Sequence, residues 1–522
     1  MATAGADIPK LTRRRFTQLG LGALAGLALP GVSACSTPSS DAVNKQLVHG
    51  ATGGGLKDSL DPHFPVTIPD IARVRQLYES LYRFTPDYQI EPALAEEISP
   101  NADGTQWTIR LRPGLRFHDG RPVRAQDVRA SLSRMLDPEN PAPFLAELAP
   151  IADLQSSRVL DGRTYRLVLK EPYAILDQMF ANYSVGIVPE DFDLARPIGT
   201  GPFRYESFVP GQRSRFLRNE HYWGEAKPQF DELVILDFTD DAAKVNALLA
   251  GQVQTIDNLP TYLAGAIEKQ GGHTLVSETG GWVPFTMRVD TTPFTDVRVR
   301  TAMRLIADRQ EMIDQALGGY GRLANDLYAP FDPAYIGHDV PQREQDIDQA
   351  RSLLKAAGAE DLQVELVTST AVGTGGVESA NLFAQQARKA GVRVRVKKVD
   401  PSVFYGDQYL SWVFAQDFWN TRLYLPQVAS CALPNSPYNE THFEDEKFIG
   451  LIRSAFRELD ETRRRTLLQD AQQIEYEKGG YLIWAFQNQV DAYGPFVTGV
   501  TPAREQPVSA YRFNTFSPVE QR

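Results

Sequence analysis

Apolar and polar residues alternate from Trp107 to Leu111, where Trp107, Ile109 and Leu111 are separated by Thr108 and Arg110. That period belongs to a half-buried strand. Pro113-Gly114 predicts a type II turn, Leu115 and Phe117 alternate again as a second strand, and Asp119-Gly120 turns the chain once more. From Asp127 the spacing becomes helical, with Val128, Leu132 and Met135 on one face. The same alternation predicts strands over 164–169 and 282–289, and the apolar run 233–238 suits a buried strand. Helical spacing predicts helices over 71–82 and over 244–250, the latter stopped at Gly251. A further helix, capped by Thr295 or Asp296, is expected to run on to Leu317, with its arginines on a solvated face. Another spans 346–357 and ends at Gly358. Strand 362–367, helix 377–390 and strand 392–396 form a β-α-β unit, which implies a parallel pair with a right-handed crossover. A strand over 411–415 leads directly to Asp417.

At 522 residues the chain is too long for one small core, so two or three domains are expected. Hydrophobic content of 42% and charged content of 23% are those of a soluble globular protein. The amino terminus departs from this. Thr12-Arg13-Arg14-Arg15-Phe16 is a twin-arginine pattern, and the apolar run from Leu19 to Leu29 is shorter than the roughly 20 residues that cross a bilayer. Val32-Ser33-Ala34-Cys35 closes it in the manner of a lipobox. Residues 1–34 therefore read as a twin-arginine lipoprotein signal peptide, Cys35 as the lipidation site and residues 35–45 as a tether. The expected location is the outer face of the cytoplasmic membrane. The net charge of −11 becomes −14 without residues 1–34, which carry four positive charges and one negative. Such acidity argues against nucleic acid or anionic lipid as the main partner. With Cys35 lipidated, Cys431 is the one thiol left and no intrachain disulfide can form.

Three stretches carry a family resemblance. The first is WTIRLRPGLRFHDGRPVRAQDV at 107–128, the second joins Gly199-Thr200-Gly201-Pro202-Phe203 to Arg218-Asn219-Glu220-His221-Tyr222-Trp223-Gly224, and the third is Pro293-Phe294-Thr295-Asp296-Val297-Arg298-Val299-Arg300. Together they resemble the peptide/nickel-type solute-binding proteins of ABC importers. Arg124 stands where that family has Thr or Ser, so the helix that follows should lack a side-chain N-cap. The resemblance implies an α/β, two-lobed periplasmic-binding-protein-like fold of type II, with an extra small domain in the first lobe. The implied first lobe comprises 46–75, 198–283 and 490–522, the inserted small domain 76–197, and the second lobe 284–489, with crossings near residues 283 and 489. It also implies a monomeric receptor that captures a small solute, most readily a short peptide, and delivers it to permease and ATPase subunits. An oligosaccharide or metal-chelate receptor of the same importer class, a sensor receptor and a secreted hydrolase remain the alternatives.

In the peptide-binding branch an aspartate after a Gly-Trp strand pairs with the ligand's α-ammonium, and Asp417 stands at that place. A cation desolvated in a cleft needs an opposite charge there. Val413 and Phe414 replace the Gly-Trp, and Phe418-Trp419-Asn420 replaces the family's continuation. Trp412, Phe414, Phe418, Trp419, Tyr424 and Trp282 offer apolar walls for a ligand or a core between lobes. Arg422 suits a bidentate carboxylate. Tyr222 and Trp223 read as packing residues, His118 as a turn-stabilising hydrogen bond, and the Gly53-Gly54-Gly55 run as a backbone-close loop. His442 alone makes a poor metal site. No His-Glu-x-x-His, Gly-x-Ser-x-Gly or cysteine cluster occurs, so no catalysis, metal or cofactor is expected.

Overall fold

The computed structural model describes residues 45–519. The expected signal peptide, the lipidation at Cys35 and all but the last residue of the expected tether lie outside them. Strand Gln46–Thr52 is buried along its whole middle. Such a strand needs cover on both faces, which a parallel neighbour with flanking helices provides. It pairs in parallel with Glu232–Phe238 on one side and with Thr255–Ile256 on the other. The sheet continues through antiparallel Arg213–Arg218 and Phe203–Val209 at one end, and through Ala485–Tyr493 and His273–Glu278 at the other.

A second sheet has the order Arg393–Lys398, Gln363–Thr368, Phe414–Gln416, Phe285–Met287, Tyr481–Leu482. Its parallel pair, 363–368 with 393–398, brackets helix Gly376–Lys389, as the β-α-β spacing predicts. The chain leaves the first sheet after Glu278 and enters the second at Phe285, then returns between Leu482 and Ala485. A third sheet, Ala95–Pro100, Gln106–Leu111, Thr164–Val168, Arg158–Val159, buries Trp107, Ile109 and Leu111 against helix Ala125–Met135. That core runs on into helices Glu446–Arg457 and Glu461–Lys478. There Tyr173 stacks on Phe456 at 5.6 Å and the Ala174 N–H donates to the Phe456 carbonyl at 2.7 Å.

Several sequence expectations are corrected by local hydrogen bonding. Leu115 and Phe117 form no strand, because the segment folds on itself: the Phe117 N–H meets the Arg121 carbonyl and the Val123 N–H meets that of Leu115. The helix expected over 71–82 is Ile68–Leu77, ended by extended Tyr78, and Tyr82–Phe84 is a strand. The helix from Asp296 stops at Ile306 because Asp308 caps a second one, Arg309–Ala316, by accepting from the Glu311 N–H at 3.0 Å. The strands over 282–289 and 411–415 contract to Phe285–Met287 and Phe414–Gln416. Arg124 supplies no side-chain cap, and Asp127 compensates by accepting from the Arg124 N–H at 2.8 Å.

The largest correction concerns the arginines of 298–304. Arg298 faces solvent, but Arg300 and Arg304 are buried, their guanidiniums donating to the carbonyls of Phe294, Lys478, Gly479 and Tyr481. Beside them buried Asp326 accepts two 2.8 Å bonds from Arg309, one of 2.9 Å from Arg343 and one of 3.0 Å from the Ile483 N–H. Burial alone would raise its carboxyl; the surrounding Arg309, Arg343 and Arg304 charges hold it below the usual carboxylate range. Breaking such a buried cluster strands its remaining charges. Asp326→Ala is expected to cost about 3–5 kcal/mol of unfolding free energy in urea titration, and a loss below about 1 kcal/mol would show that the cluster is dispensable.

Candidate ligand-binding site

Segments far apart in the sequence meet around a cavity of about 560 Å³, walled by some of the residues within the stretches 63–65, 84–88, 143–147, 178–184, 420–438 and 505–506. The hairpin of Tyr82–Phe84 and Ile90–Pro92 carries Tyr88 near its turn, in the left-handed region at φ 64°. Its ring stacks on Phe84 at 4.1 Å and its hydroxyl donates to the Thr421 carbonyl at 2.9 Å. Thr421 in turn donates to the Arg504 carbonyl at 2.6 Å and accepts from the Gly280 N–H at 2.8 Å. One threonine thus ties the 420–423 wall to two other stretches of chain.

Behind that wall lies a row of rings. Trp282 and Trp419 exchange backbone hydrogen bonds of 2.9 Å in each direction, and their rings lie 6.0 Å apart. Trp282 stacks on Tyr328, and Tyr328 on Tyr424, each at 5.4 Å. The hydroxyls of Tyr328 and Tyr424 both donate to Glu475, whose carboxyl burial pushes up to about 7 against those two bonds. Trp282, Trp419 and Tyr424, each buried, therefore form a stack within the core. The stack does have a bearing on the cavity: the Arg422 guanidinium rests 5.3 Å over the Trp419 ring and donates to Ser430 at 2.6 Å.

Asp417 is buried rather than exposed on its loop. Its oxygens accept from Tyr405 at 2.8 Å, Tyr409 at 2.7 Å and the Phe418 N–H at 2.8 Å. Burial first, and then the Asp417 charge, push neighbouring Glu440 well up. Phe414 sits in the second sheet's core against Phe285, Phe294 and Phe383. Trp412 packs on Val283 and Phe404, while half-exposed Phe418 stands edge-on to Tyr405. Of the eight residues singled out in the sequence, Arg422 lines this cavity and the other seven do not.

The remaining sequence candidates have structural partners. His118 bridges the Gly-Thr-Gly loop, accepting from the Gly199 N–H at 3.2 Å and meeting the Gly201 carbonyl at 3.0 Å, so its reach is longer than the turn expected. His442 meets the Leu410 carbonyl and Asp290, and among the described residues no group of three or more His, Cys, Asp or Glu could hold a metal ion. Tyr222 and Trp223 both donate to Glu79 at the edge of a second cavity, of about 500 Å³. That cavity is rich in arginine, but its cations are engaged: Arg75 with Glu505, Arg83 with Glu91, Arg112 with the Ala93 carbonyl and Arg512 with that of Phe84.

The charges of the larger cavity are different. Glu505 is held by Arg75 through bonds of 2.7 and 2.8 Å. Burial keeps the His63 imidazole neutral, down to about 4, with the Gly186 carbonyl as one partner. Arg422 has no carboxylate partner among the described residues, and Glu147 there has neither a hydrogen bond nor an ion pair. Glu147 keeps open surface on the cavity it lines, yet protein surrounds it. Glu147, Tyr88, Tyr183 and Glu505 carry no sequence signal: Glu147 lies in the irregular stretch after the short 3-10 turn Pro143–Leu145.

The sequence profile of the bacterial extracellular solute-binding proteins, family 5 (middle region), matches residues 89–428. Over 485 residues the chain is 30% identical to Di/tripeptide-binding protein 2 of Pseudomonas aeruginosa (strain UCBPP-PA14), an alignment that covers 85% of this chain and 89% of that relative. Its fold is that of the two-lobed periplasmic binding proteins. It superposes on the ABC transporter-associated periplasmic binding protein DppA from Helicobacter pylori in complex with peptide STSA, with a TM-score of 0.74 and 21% identity, covering 91% of this chain and 98% of that one. NikA from Brucella suis in complex with Fe(III)-EDTA superposes with a TM-score of 0.78 and 23% identity, covering 90% of this chain and all of that one, 100%. One fold thus holds a peptide in one protein and a metal chelate in another, so the ligand is decided by side chains.

Enclosure pushes the Glu147 carboxyl up from 4.5 to about 7, with the Arg422 charge opposing. A carboxyl that holds its proton more tightly when folded stabilises the fold most below its unfolded pKa of about 4.3, and that contribution is lost as pH rises through the folded value near 7. Glu147→Gln removes the dependence. The melting temperature of the wild type should fall relative to that of the variant between about pH 5 and pH 8. Parallel curves would show that Glu147 is not held off its ordinary pKa.

Proposed function

The chain belongs to the bacterial extracellular solute-binding proteins of family 5, and from that membership we propose that it is the membrane-tethered receptor of an ABC importer for short peptides. The observation that carries this reading is the cavity of about 560 Å³. Its volume falls in the range of roughly 300–1,000 Å³ typical of small-molecule sites. Its walls mix rings (Phe84, Tyr88, Tyr183) with amides and three charges (Glu147, Arg422, Glu505), the surface that a peptide's apolar side chains and polar backbone require. The similarity to Di/tripeptide-binding protein 2 supports the same ligand class.

The receptor binds its peptide between the lobes, closure excludes water, and the closed form delivers the solute unchanged to a permease driven by ATPase subunits. It acts as a monomer. Its anchor is the lipid on Cys35 after twin-arginine export. Among the described residues no helix is long and apolar enough to cross a membrane.

Native mass spectrometry of the purified protein should reveal a series of co-purified masses corresponding to short peptides. A single non-peptide mass would replace the peptide reading with another solute. Adding a bound peptide should reduce the radius of gyration in solution scattering, and an unchanged radius with saturating ligand would sink the closure step. Cys35→Ala should move the protein from the membrane to the soluble extracytoplasmic fraction.

A further inference from the structure

Ionised groups removed from bulk water are costly unless paired, and nearly every buried charge around the larger cavity obeys this. Asp61 pairs with Arg134, Glu505 with Arg75, and Asp417 is bonded by two tyrosine hydroxyls. Two lining groups, neither of them fully buried, stand apart. Glu147 has no partner for its oxygens among the described residues, and Arg422 uses one guanidinium nitrogen on Ser430 while its plane rests on Trp419. A guanidinium has five N–H donors, so most of the Arg422 capacity is unspent. The two are close enough for the Arg422 charge to act on Glu147, but they make no ion pair.

We propose that Glu147 and Arg422 are the specificity-determining pair of this receptor, Glu147 receiving the α-ammonium of a short zwitterionic peptide and Arg422 its α-carboxylate. This rests on the peptide-receptor reading and deepens it. Their separate elements fix the order of the ligand: Glu147 follows the 3-10 turn Pro143–Leu145, and Arg422 precedes helix Tyr424–Cys431. Two opposite charges facing one small cavity select a ligand whose own opposite charges are a short chain apart. Peptides blocked at either end leave one of the pair desolvated and unpaired. The assignment also gives Asp417 a positioning role, because three donors already occupy its carboxylate and it does not line the cavity.

Calorimetric titration of the purified protein with trialanine, N-acetyl-trialanine and trialanine amide tests the pair, on the wild type and on Glu147→Gln, Arg422→Met and Asp417→Asn. The wild type should prefer free trialanine over each blocked form by about tenfold or more, the worth of one charge-assisted hydrogen bond. Glu147→Gln should lose the preference for the free amine while keeping that for the free carboxylate, and Arg422→Met should do the reverse. The chemical blocking of the peptide reports on the wild type even where a variant folds poorly. Loss of the free-amine preference in Asp417→Asn with its retention in Glu147→Gln would overturn the assignment and leave the peptide receptor standing. A wild type that binds peptides without regard to blocked ends would do the same. A wild type that binds no peptide but retains a co-purified solute without an amine or carboxylate would overturn both.

Discussion

Asp326 is fully buried and ringed by Arg309, Arg343 and, more distantly, Arg304. Through these bonds one carboxylate joins the start of helix Arg309–Ala316, the 341–345 loop and the Ile483 N–H at the return to the first sheet. The cluster sits where the chain passes between sheets, and neighbouring Arg300 and Arg304 extend it by donating to the carbonyls that close helix Glu461–Lys478. Those carbonyls are the orphan acceptors of a helix end, so the arginines satisfy a need that the helix cannot meet internally. Such a network fixes one register of helices and strands, since a shifted register would strand a charge.

The same constraint shapes the cavity. The ring stack Trp419-Trp282-Tyr328-Tyr424 ends in Glu475, whose carboxyl takes both tyrosine hydroxyls. A rigid aromatic row is a good base for a guanidinium, which stacks on a ring face without losing its in-plane donors. Arg422 is held there. Glu147 lines the same cavity, and its enclosure by protein, opposed by the Arg422 charge, raises its carboxyl to about 7. The frame of the protein satisfies its charges internally, whereas Glu147 and Arg422 in the cavity make no ion pair among the described residues.

Peptide, nickel and chelate receptors share this fold, and the aromatic-rich loop after Asp417 gives one reason why they can diverge. The chain around Asp417 is divided between two tasks: Phe414 before it and Trp419 after it serve the core, while residues 420–423 line the cavity. Asp417 stands at the boundary, bonded to Tyr405 and Tyr409 from the preceding segment.

Much of the frame was legible in the sequence because it rests on local physics. The alternation at 107–111, the β-α-β unit of 362–396, the cap at Asp296 and the helix that starts at 346–347 each follow from residues within a few positions of one another. The family motifs at 107–128, 199–224 and 293–300 identified the class for the same reason: they record tight turns and helix starts that any member must form. The site was another matter. Arg422 was visible as a donor suited to a carboxylate, but its orientation depends on Trp282, 140 positions earlier, stacking on Trp419. Arg300 and Arg304 looked solvated because a helix with valines between arginines is amphipathic by pattern, and only the carbonyls of 478–481 explain their burial. Glu147 has no periodicity or motif around it. Its significance is the absence of a partner, and whether a charge has a partner is decided by residues brought near it in space.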